Sequence, residues 1–538
     1  MKIFEYFTVL DWVVVFGYLG LTTLVGHLMR GKQASIRDFF LGGRTLPWWA
    51  VCGSIIATEI SGVTFIGVPG TLFALDGNFT YLQWAIGSII ARIIIGIFFV
   101  RVYYEREIYS PYDYMSNRLG SRVKKLATVF FAVGSILAQS VRVLVAALPL
   151  KIVTPLPFEA CIAVIGLFAI GWTLMGGMRT VIWTDVMQFV LFAVGGTISL
   201  FWLVGHMDGG WAQFMQAAGE AGKFQTFDFR FGFENELKFT FWVAIIAVPF
   251  LNLNAFGVDQ LNAQRMFCCR DAKAARKAII YSSFGQLITI VMLMVGAALW
   301  VHYQLTPPAG EVAAFFDDTD PSLPGRADRY FPTWIVTELP PGLSGLILAG
   351  VFAAAISSLD SVLAALSQTT LSLFFRTEDG EIEGVSARKL VVLSRTLVVM
   401  WGLLLTGFTW VMSKASNEMI LPLAFGMTSY TVGPMLGMFF CALLGKGSFR
   451  GLMIGSVVAF LVSLCVGTDL MGVLIKLTPL TAEMVSALPT YTLSAEGNLQ
   501  SVVSFVWMWP VATLITVAFG TLIPSGKAGE TVNLGAER

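Results

Sequence analysis

A short segment rich in small and hydroxyl side chains, residues 353–361, lies inside a long apolar run and carries one carboxylate. On a helix, residues three and four positions apart share a face. That spacing groups Ala354, Ser357, Ser358 and Ser361, with Asp360 beside them. A lone serine more simply bonds the carbonyl one turn back or lets helices pack closely. Oxygen ligands at this density instead favour a site for a hard cation such as Na⁺.

The main chain of an interrupted helix is a second source of oxygen ligands. The apolar run at 48–75 contains Gly62, Gly67, Pro69 and Gly70, residue types that interrupt helices. Where a helix breaks at membrane depth, its free carbonyl groups can coordinate a cation. Gly and Pro also occur in membrane helices that only kink or pack closely, so this run alone leaves both interpretations open.

The apolar run at 238–257 has the same character, with Pro249, Asn252, Asn254 and Gly257. It comes five runs after 48–75, which is the spacing of two inverted five-helix repeats that each begin with a broken helix. The predicted organisation is an N-terminal helix with a cytoplasmic loop (1–47), a first repeat (48–205), an extracellular loop (206–237), a second repeat (238–445), two C-terminal helices (446–524) and a cytoplasmic tail (525–538).

Ionisable side chains inside a bilayer are costly and usually functional. Those within the apolar runs are Glu59, Arg92, Arg142, Asp185 and Asp360. Asp185 is either a cation ligand on the ion pathway or an interfacial cap that pairs with Arg179. Arg92 is more simply a structural or snorkelling residue.

Two polar residues are candidates to meet a solute. Arg142 either pairs with Glu59 or Asp360 inside the protein, or its guanidinium binds a carboxylate of the solute, and the residues leave both open. Gln83 opens the helix after the first break and can reach a solute there, although an interfacial position is the simpler interpretation.

The elements that position these residues are membrane helices. Of 538 residues, 56% are hydrophobic and 13% charged, and mean hydropathy is +0.74, whereas a soluble domain carries about 25% charged residues. A bilayer span needs about 20 apolar residues, and about 13 runs approach that length. They are 8–29, 48–75, 79–101, 127–149, 158–178, 181–205, 238–257, 278–303, 341–375, 390–412, 418–445, 451–475 and 500–523.

Lys and Arg in the connections predict the orientation. One set of connections is basic, including 30–44, 101–125 and 265–277. The opposite set is poorer in basic residues, although its loops at 206–237 and 304–340 are each long enough to hold a short helix. With an odd number of spans, the N-terminus lies outside and the C-terminus in the cytoplasm. We expect a multi-pass protein of the plasma (inner) membrane.

Several passages resemble the sodium:solute symporter family, which includes sodium–glucose, proline, sialic acid, pantothenate and iodide transporters. The resemblance extends from about residue 10 to about residue 475. The passages that carry it are DFFLGGR (38–44), FIGVPG (65–70), GGMRTVIWTDVMQ (176–188), DQ and QR within 259–265, and AAISSLDS (354–361).

The resemblance implies an all-α membrane protein of about 13 helices with the leucine-transporter-like fold of inverted five-helix repeats. It also implies a shared Na⁺ site, formed by main-chain oxygens and two hydroxyls of Ala57, Ile60, Ala354, Ser357 and Ser358. Members similar to the sialic acid transporters have a second Na⁺, whose ligands would be Asp185, Ser357, Asp360 and Ser361. Position 360 is Ser in that subgroup, and the Asp found here either strengthens cation binding or carries a proton instead.

The resemblance also bears on the solute. At positions where galactose transporters of the family hold their sugar, this chain has Thr64, Asn252, Ala255 and Gly426. Ala255 replaces a gate tyrosine, which argues against a stacked hexose, and the adjacent aromatic residue, Phe256, is the gate candidate. Arg142 lies where sialic acid transporters place a carboxylate-binding arginine. The predicted solute site is therefore Thr64, Gln83, Arg142 and Asn252, and a small organic anion is favoured over a sugar or another polar solute.

The predicted function is Na⁺-coupled symport of a small solute by alternating access, with the lipid bilayer as surroundings, no nucleic-acid partner and a monomeric state. A proton-coupled symporter or a uniporter on the same fold is the alternative, and an ion channel is a more distant one. A membrane-embedded enzyme is disfavoured because the three histidines lie near helix ends and no metal motif or nucleophile–base pair is found. A sensor is disfavoured because no signalling domain is fused.

Overall fold

The computed structural model describes residues 2–29, 42–105, 108, 110–174, 178–317, 323–374, 377–378, 381–382, 387–415, 419–494, 497 and 499–524. The start of the DFFLGGR passage, the Gly176-Gly177 pair and the predicted tail at 525–538 lie outside these residues.

Most of the described chain is helical because its apolar runs must satisfy their backbone groups within the membrane. The α-helices are Val9–Met29, Trp48–Glu59, Val68–Phe73, Trp84–Ile94, Val100–Glu105, Pro111–Leu119, Ser121–Val153, Phe158–Thr173, Met178–Gly205, Gly210–Glu220, Phe241–Ile246, Val248–Leu253, Gln260–Phe267, Ala272–Tyr281, Gln286–Leu305, Gly310–Phe316, Arg326–Glu338, Leu343–Phe374, Ala387–Ser413, Ile420–Gly426, Val432–Leu444, Phe449–Leu464, Thr468–Leu477, Ala482–Ser486 and Met508–Leu522. Short 3₁₀ segments are Ile3–Tyr6, Gly42–Arg44, Phe79–Gln83, Asn235–Leu237, Ser282–Gly285 and Phe505–Trp507, and π segments are Val63–Gly67, Ile95–Phe99 and Asn254–Val258.

Nine helices in the described residues are long and apolar enough to cross a membrane, and two further pairs qualify if each bent pair counts as one span. Two shorter apolar helices, Phe158–Thr173 and Val432–Leu444, accompany them. Each predicted apolar run overlaps one of these helices or pairs. The all-α membrane class is therefore confirmed, because a run long enough to cross the bilayer is a local property of the sequence.

The first broken helix consists of Trp48–Glu59 and Val63–Phe73, which are bent by 54° at residues 60–62. Ile60 ends the first half with ψ of 77°. Gly62 lies so close to a neighbour that an added Cβ would come 2.9 Å from Val145. The predicted break at this place is therefore present.

The second broken helix consists of Phe241–Val258 and Gln260–Phe267. Its interruption falls at Asp259, whose backbone is extended (φ −65°, ψ 131°) and whose Oδ1 accepts a hydrogen bond from the Leu261 N–H at 2.8 Å. The sequence placed the break among Pro249 to Gly257. Pro249 instead occupies the first turn of Val248–Leu253, where its missing N–H costs nothing.

A further strong bend, in the C-terminal part of the chain, was not predicted from the sequence. Phe449–Leu464 and Thr468–Leu477 meet at 85°, whereas the sequence predicted one continuous run. Gly467, in an extended conformation, forms the corner, and an added Cβ there would lie 2.2 Å from the Tyr430 hydroxyl oxygen.

The long helix Leu343–Phe374, called the serine helix below, lies at the centre, since 94% of its apolar window is buried inside the protein. It packs against Val9–Met29, Ser121–Val153, Phe158–Thr173 and Met178–Gly205. Its position explains why small and hydroxyl residues can face other helices over its whole length.

The loops at 206–237 and 304–340 contain short helices, as predicted: Gly210–Glu220, Gly310–Phe316 and Arg326–Glu338. The last packs on the first broken helix, where Gly70 lies so close to Asp328 that an added Cβ would be 2.3 Å from Oδ1. Two small antiparallel hairpins complete the fold, Thr377–Glu378 with Glu381–Ile382, and Tyr491–Leu493 with Leu499–Ser501 in the register Tyr491 to Ser501.

Candidate functional site

The end of the first broken helix offers main-chain oxygen atoms. In a regular helix the Ser61 N–H would bond the carbonyl of Ala57, but here it donates to the Glu59 carbonyl at 3.0 Å. The carbonyl of Ala57 is thereby left for another ligand, and the chain leaves helical geometry at Ile60. These are the two main-chain positions that the sequence assigned to the first Na⁺ site.

Asp185 brings the first broken helix and the serine helix together beside that break. Its Oδ2 accepts a hydrogen bond from the Ser54 hydroxyl and its Oδ1 accepts one from the Ser357 hydroxyl, both at 2.6 Å. Ala57 lies three residues after Ser54, on the same helix face. Ala354 and Ser358 flank Ser357 on the facing helix and are buried. All the atoms that these residues offer to a cation are oxygen atoms, which suit Na⁺.

Arg265 completes this cluster, and sequence reasoning misplaced it. The sequence counted Arg265 among cytoplasmic loop charges, yet its side chain is only 1% exposed. Its Nη2 lies 3.1 Å from Asp185 Oδ2 and donates to the Ser361 hydroxyl oxygen at 3.3 Å, while Nε donates to the Ser54 hydroxyl oxygen at 3.0 Å. Asp185 therefore pairs with Arg265 and not with Arg179. The feature of the sequence that could have identified Arg265 is the QR pair within residues 259–265, one of the passages that resemble the family.

Three of the four residues assigned to a second Na⁺ are joined by hydrogen bonds, whereas Asp360 interacts with the same charges without such a bond. Asp185, Ser357 and Ser361 gather around Asp185 and Arg265. Asp360 instead lines a separate cavity of about 110 Å³, together with Ser357. The Thr173 side chain lies near the Asp360 carboxylate, and its hydroxyl donates to the Ala169 carbonyl at 2.8 Å. Asp360 lies three residues after Ser357, and its carboxylate is directed towards the helix that carries Thr173.

Glu59 and Arg92 form a buried ion pair near the same break. The Arg92 side chain is fully buried, so the snorkelling interpretation is wrong. Gln286 Nε2 donates to the second carboxylate oxygen of Glu59 at 2.9 Å. Because Glu59 is engaged in this way, it is not the partner of Arg142.

Arg92 also contacts the second broken helix. The guanidinium carbon of Arg92 lies 4.4 Å from the ring centroid of Phe256, a cation–π distance. Phe256, the gate candidate, is 4% exposed. One guanidinium thus joins the ends of both broken helices.

A central cavity of about 240 Å³ lies between the two broken helices and Ser121–Val153. The residues named from the sequence that line it are Glu59, Ile60, Thr64, Arg142, Asn252, Asn254, Ala255 and Phe256. Aromatic side chains of Tyr81, Trp84 and Phe425 form another part of the wall, with ring centroids 4.8 Å apart for Trp84 and Phe425. The lining therefore combines an apolar wall with a few polar groups, which is typical of a site for a small solute.

Several polar groups of the wall are unpaired. Arg142 Nη2 donates to the Thr58 carbonyl at 3.3 Å, but its Nη1 is buried and has no hydrogen-bond partner among the described residues. Side-chain oxygens of Gln139, Asn254 and Asn262 are likewise buried and without partners in this part of the chain. Buried polar groups normally find a partner, so these groups are suited to bind a solute. The sequence named Asn254 only as part of the second interrupted helix, and it did not single out Gln139 or Asn262.

Asn252 and Thr64 are held in place by the surrounding helices. The Asn252 amide accepts a hydrogen bond from the Ser88 hydroxyl at 3.0 Å and donates to the Val248 carbonyl at 3.0 Å. The Thr64 hydroxyl donates to the Glu59 carbonyl at 3.3 Å. Both side chains are positioned at the breaks, where the helices turn towards the cavity.

Gln83 does not belong to the cavity wall, contrary to the sequence prediction. Its amide nitrogen donates to the Phe239 carbonyl at 2.8 Å, and its oxygen accepts the Asp228 N–H at 3.3 Å. The side chain is 1% exposed. These bonds to the loop 206–237 and its junction with Phe241–Ile246 occupy the amide, which removes it from the proposed solute site.

The fold and the site define a membrane transporter with two broken helices around a solute cavity. The profile of the sodium:solute symporter family matches residues 39–455. The chain belongs to this family, whose members are Na⁺-coupled solute transporters and not enzymes.

Individual relatives agree with this assignment. The sodium/sialic acid symporter SiaT of Proteus mirabilis is 30% identical over 67% of this chain and 70% of its own. The sodium/glucose cotransporter of Vibrio parahaemolyticus is 29% identical over 71% and 70%. Mouse sodium-coupled monocarboxylate transporter 2 is 26% identical over 84% and 72%. A solved structure of a Na⁺-coupled sialic acid symporter in a substrate-bound outward-open state, at 24% identity, matches 96% of this chain and 97% of its own with a TM-score of 0.75, which confirms the predicted fold.

Proposed function

We propose that this protein takes up a small organic anion with Na⁺ by alternating access. The observation that carries the proposal is the unpaired Nη1 of Arg142, buried in the wall of the central cavity. A guanidinium group presents parallel donors that match a carboxylate. Two relatives named above transport carboxylates, sialic acid and monocarboxylates.

The charges around the cavity support an anionic solute. Glu59 is neutralised by Arg92. Asp259 also lines the cavity, but its Oδ1 accepts the Leu261 N–H, and the described residues contain no ion pair between Asp259 and Arg142. Arg142 therefore keeps donor capacity that only an incoming acceptor uses. A buried donor without a hydrogen-bond partner is costly, and a bound carboxylate removes that cost.

The other unpaired groups narrow the chemistry of the solute. The buried side-chain oxygens of Gln139, Asn254 and Asn262 are free to accept hydrogen bonds from a solute. A solute that carries hydroxyl, amide or amino groups besides its carboxylate satisfies both kinds of partner. A plain fatty acid leaves these oxygen atoms unpaired, and a neutral sugar offers Arg142 hydroxyl oxygens but no negative charge. We propose a hydroxylated or amino-substituted carboxylate.

We propose one Na⁺, bound by Ala57, Ile60, Ala354, Ser357 and Ser358. Asp185, assigned to a second Na⁺, already faces the guanidinium of Arg265 at 3.1 Å. Since that guanidinium already balances the charge of Asp185, the carboxylate is not available to neutralise a second cation. Binding of Na⁺ at the first site links the end of the first broken helix to the serine helix, which stabilises the arrangement that the solute meets.

Repeats 48–205 and 238–445 then move relative to each other and expose the cavity to the two sides in turn. We propose that the protein acts as a monomer in the plasma (inner) membrane. Its N-terminus lies outside and its C-terminus in the cytoplasm, as the basic connections indicate.

Uptake into proteoliposomes tests the proposal. Purified protein is screened by thermal shift against hydroxylated and amino-substituted carboxylates, each beside its amide or alcohol analogue, in Na⁺ or choline at one pH. A ligand of the folded state raises the midpoint. We expect hits only among carboxylates and only with Na⁺, followed by uptake driven by a Na⁺ gradient. Uptake driven equally well in choline by a pH gradient would instead establish proton coupling.

Two variants assign the site. Arg142→Lys keeps the charge but loses the planar pair of donors, so we expect a loss of solute-induced stabilisation with the Na⁺-induced shift retained. Arg101→Lys, on a residue whose side chain is 76% exposed, is the matched control. Equal solute binding in Arg142→Lys and the parent protein would contradict a carboxylate at Arg142.

A further inference from the structure

Four phenylalanines alternate along the extracellular loop 206–237, and we call Phe227, Phe229, Phe231 and Phe233 the aromatic strip. Their side chains are 53%, 62%, 58% and 53% exposed, respectively. Single exposed apolar residues are ordinary, but a contiguous exposed patch marks an interaction surface. Neither Na⁺ nor solute binding involves this loop.

The backbone of the strip is firmly held, so the exposure is not that of a loose segment. The Phe241 N–H donates to the Asp228 carbonyl at 2.8 Å, and the Ser504 N–H donates to the Phe233 carbonyl at 2.7 Å. The indole of Trp242 donates to the Phe229 carbonyl at 3.0 Å. With its backbone fixed by these bonds, the segment presents its rings outward from a rigid support.

The bonds also fix the depth of the strip. It is tied to Phe241, where the span Phe241–Val258 begins, and to Ser504, next to the start of the span Phe505–Leu522. Through Asp228 it is bonded to Gln83, in the first turn of the span Phe79–Glu105. Three spans therefore begin beside one aromatic segment. This is the boundary between the membrane and water, where Trp and Tyr form belts.

The strip continues into a surface that faces lipid. Phe231 contacts Trp242, with ring centroids 6.1 Å apart, and Trp242 is 37% exposed. Ile246 lies one turn further along the same span and is 39% exposed. Because this apolar surface extends from the loop onto a membrane span, we expect the loop surface to contact the same lipid as the span. We propose that the aromatic strip inserts into the interface of the outer leaflet and anchors the outer ends of three spans to lipid.

The charges on the strip agree with that depth. The Arg230 side chain is 72% exposed and forms an ion pair with Asp228 at 2.6 Å. At the headgroup level a guanidinium remains solvated while its neighbours enter the acyl boundary. The inference depends on the membrane location of the chain and, for the choice of leaflet, on the proposed orientation, and it is independent of the identity of the solute.

The collision rates of a nitroxide spin label with oxygen and with a water-soluble nickel chelate show whether the labelled site lies in lipid or in water. The label is placed at Phe229→Cys in protein that carries Cys465→Ser, since Cys465 is the exposed cysteine and the other five are buried. The protein is reconstituted in phosphatidylcholine nanodiscs. Glu220→Cys, at the exposed end of Gly210–Glu220, is the aqueous reference, and Leu514→Cys, 61% exposed on a span, is the lipid reference.

We expect the oxygen-to-nickel ratio at Phe229 to approach that of Leu514 and to exceed that of Glu220 several-fold. A ratio equal to that of Glu220 would show that the strip lies in water and would overturn the proposal. Low collision with both reagents would show that protein covers the strip and would equally overturn it. The same measurement at Phe231→Cys gives the answer if the first variant does not fold.

Discussion

The guanidinium of Arg265 lies 3.1 Å from the carboxylate of Asp185, 80 residues earlier in the chain, and both side chains are almost fully buried. The same guanidinium reaches Ser54 on the first broken helix and Ser361 on the serine helix. One ion pair therefore fastens four helices beside the proposed Na⁺ site. This arrangement explains how an arginine can lie next to a cation site without preventing its formation: its charge is already balanced by Asp185.

Asp185→Asn removes the partner of a buried charge. Loss of one member of such a pair costs about 3–5 kcal/mol, so we expect a clear fall in the midpoint of thermal unfolding in detergent. The double variant Asp185→Asn/Arg265→Gln removes both charges and should recover a large part of the loss. Additive losses in the double variant would show that the two residues do not stabilise the protein as a pair.

Ser358→Ala deletes a hydroxyl of the proposed Na⁺ site. We expect the Na⁺-induced rise in thermal midpoint to disappear at concentrations that stabilise the parent protein, because a Na⁺ ligand is lost. Ser367→Ala is the matched control: it lies on the same helix, but its hydroxyl bonds the Ser394 carbonyl at 3.0 Å. A full Na⁺ shift in Ser358→Ala would remove this residue from the site.

One Na⁺ with a monovalent anion carries no net charge across the membrane. Uptake should then rise hyperbolically with Na⁺ concentration and should not respond to membrane potential, whereas one net charge would add about 2.3 kcal/mol of driving force per 100 mV. Uptake at clamped potentials and current recorded on a supported membrane measure this. Sigmoidal Na⁺ dependence with an inward current would establish a second Na⁺.

Arg92 contacts Glu59 at the end of the first broken helix and Phe256 on the second. Arg92→Lys retains a positive charge but loses the planar stacking on the ring. We therefore expect the ratio of solute affinities with and without Na⁺ to fall in Arg92→Lys. An unchanged ratio would show that Na⁺ and the solute communicate through other contacts.

Lys223 is part of the loop 206–237, and its ammonium group donates to the carbonyls of Leu72 and Ala74 at 3.1 and 2.7 Å. Burial lowers the pKa of Lys223 from 10.5 to about 8. Between these values the unfolded chain holds a proton that the folded protein has released, so the free energy of unfolding rises with pH. Between pH 8 and 10.5, the thermal midpoint of the parent protein should therefore rise relative to that of Lys223→Met. Identical pH profiles of the two proteins would contradict it.

The membrane helices, the first break and the residue types of the proposed cation site were determined by the sequence itself. Length and hydropathy are local, and 20 apolar residues have few alternatives to a helix in the bilayer. The spacing of Ser357, Ser358 and Ser361 follows from the period of the helix and needs no knowledge of neighbours. Family resemblance added Ala57 and Ile60, which local chemistry alone does not distinguish.

Tertiary structure decided which charges meet. The sequence predicted Arg265 to be a loop charge because its segment follows the apolar run. In the structure, the chain is interrupted at Asp259 and the next helix places Arg265 in the core, where it pairs with Asp185. Glu59 pairs with Arg92, so that Glu59 is not the partner of Arg142, whose Nη1 has no hydrogen-bond partner among the described residues. Gln83 is held by a loop 145 residues further along. Pairings across such distances depend on how helices pack, and the period of one helix does not contain that information.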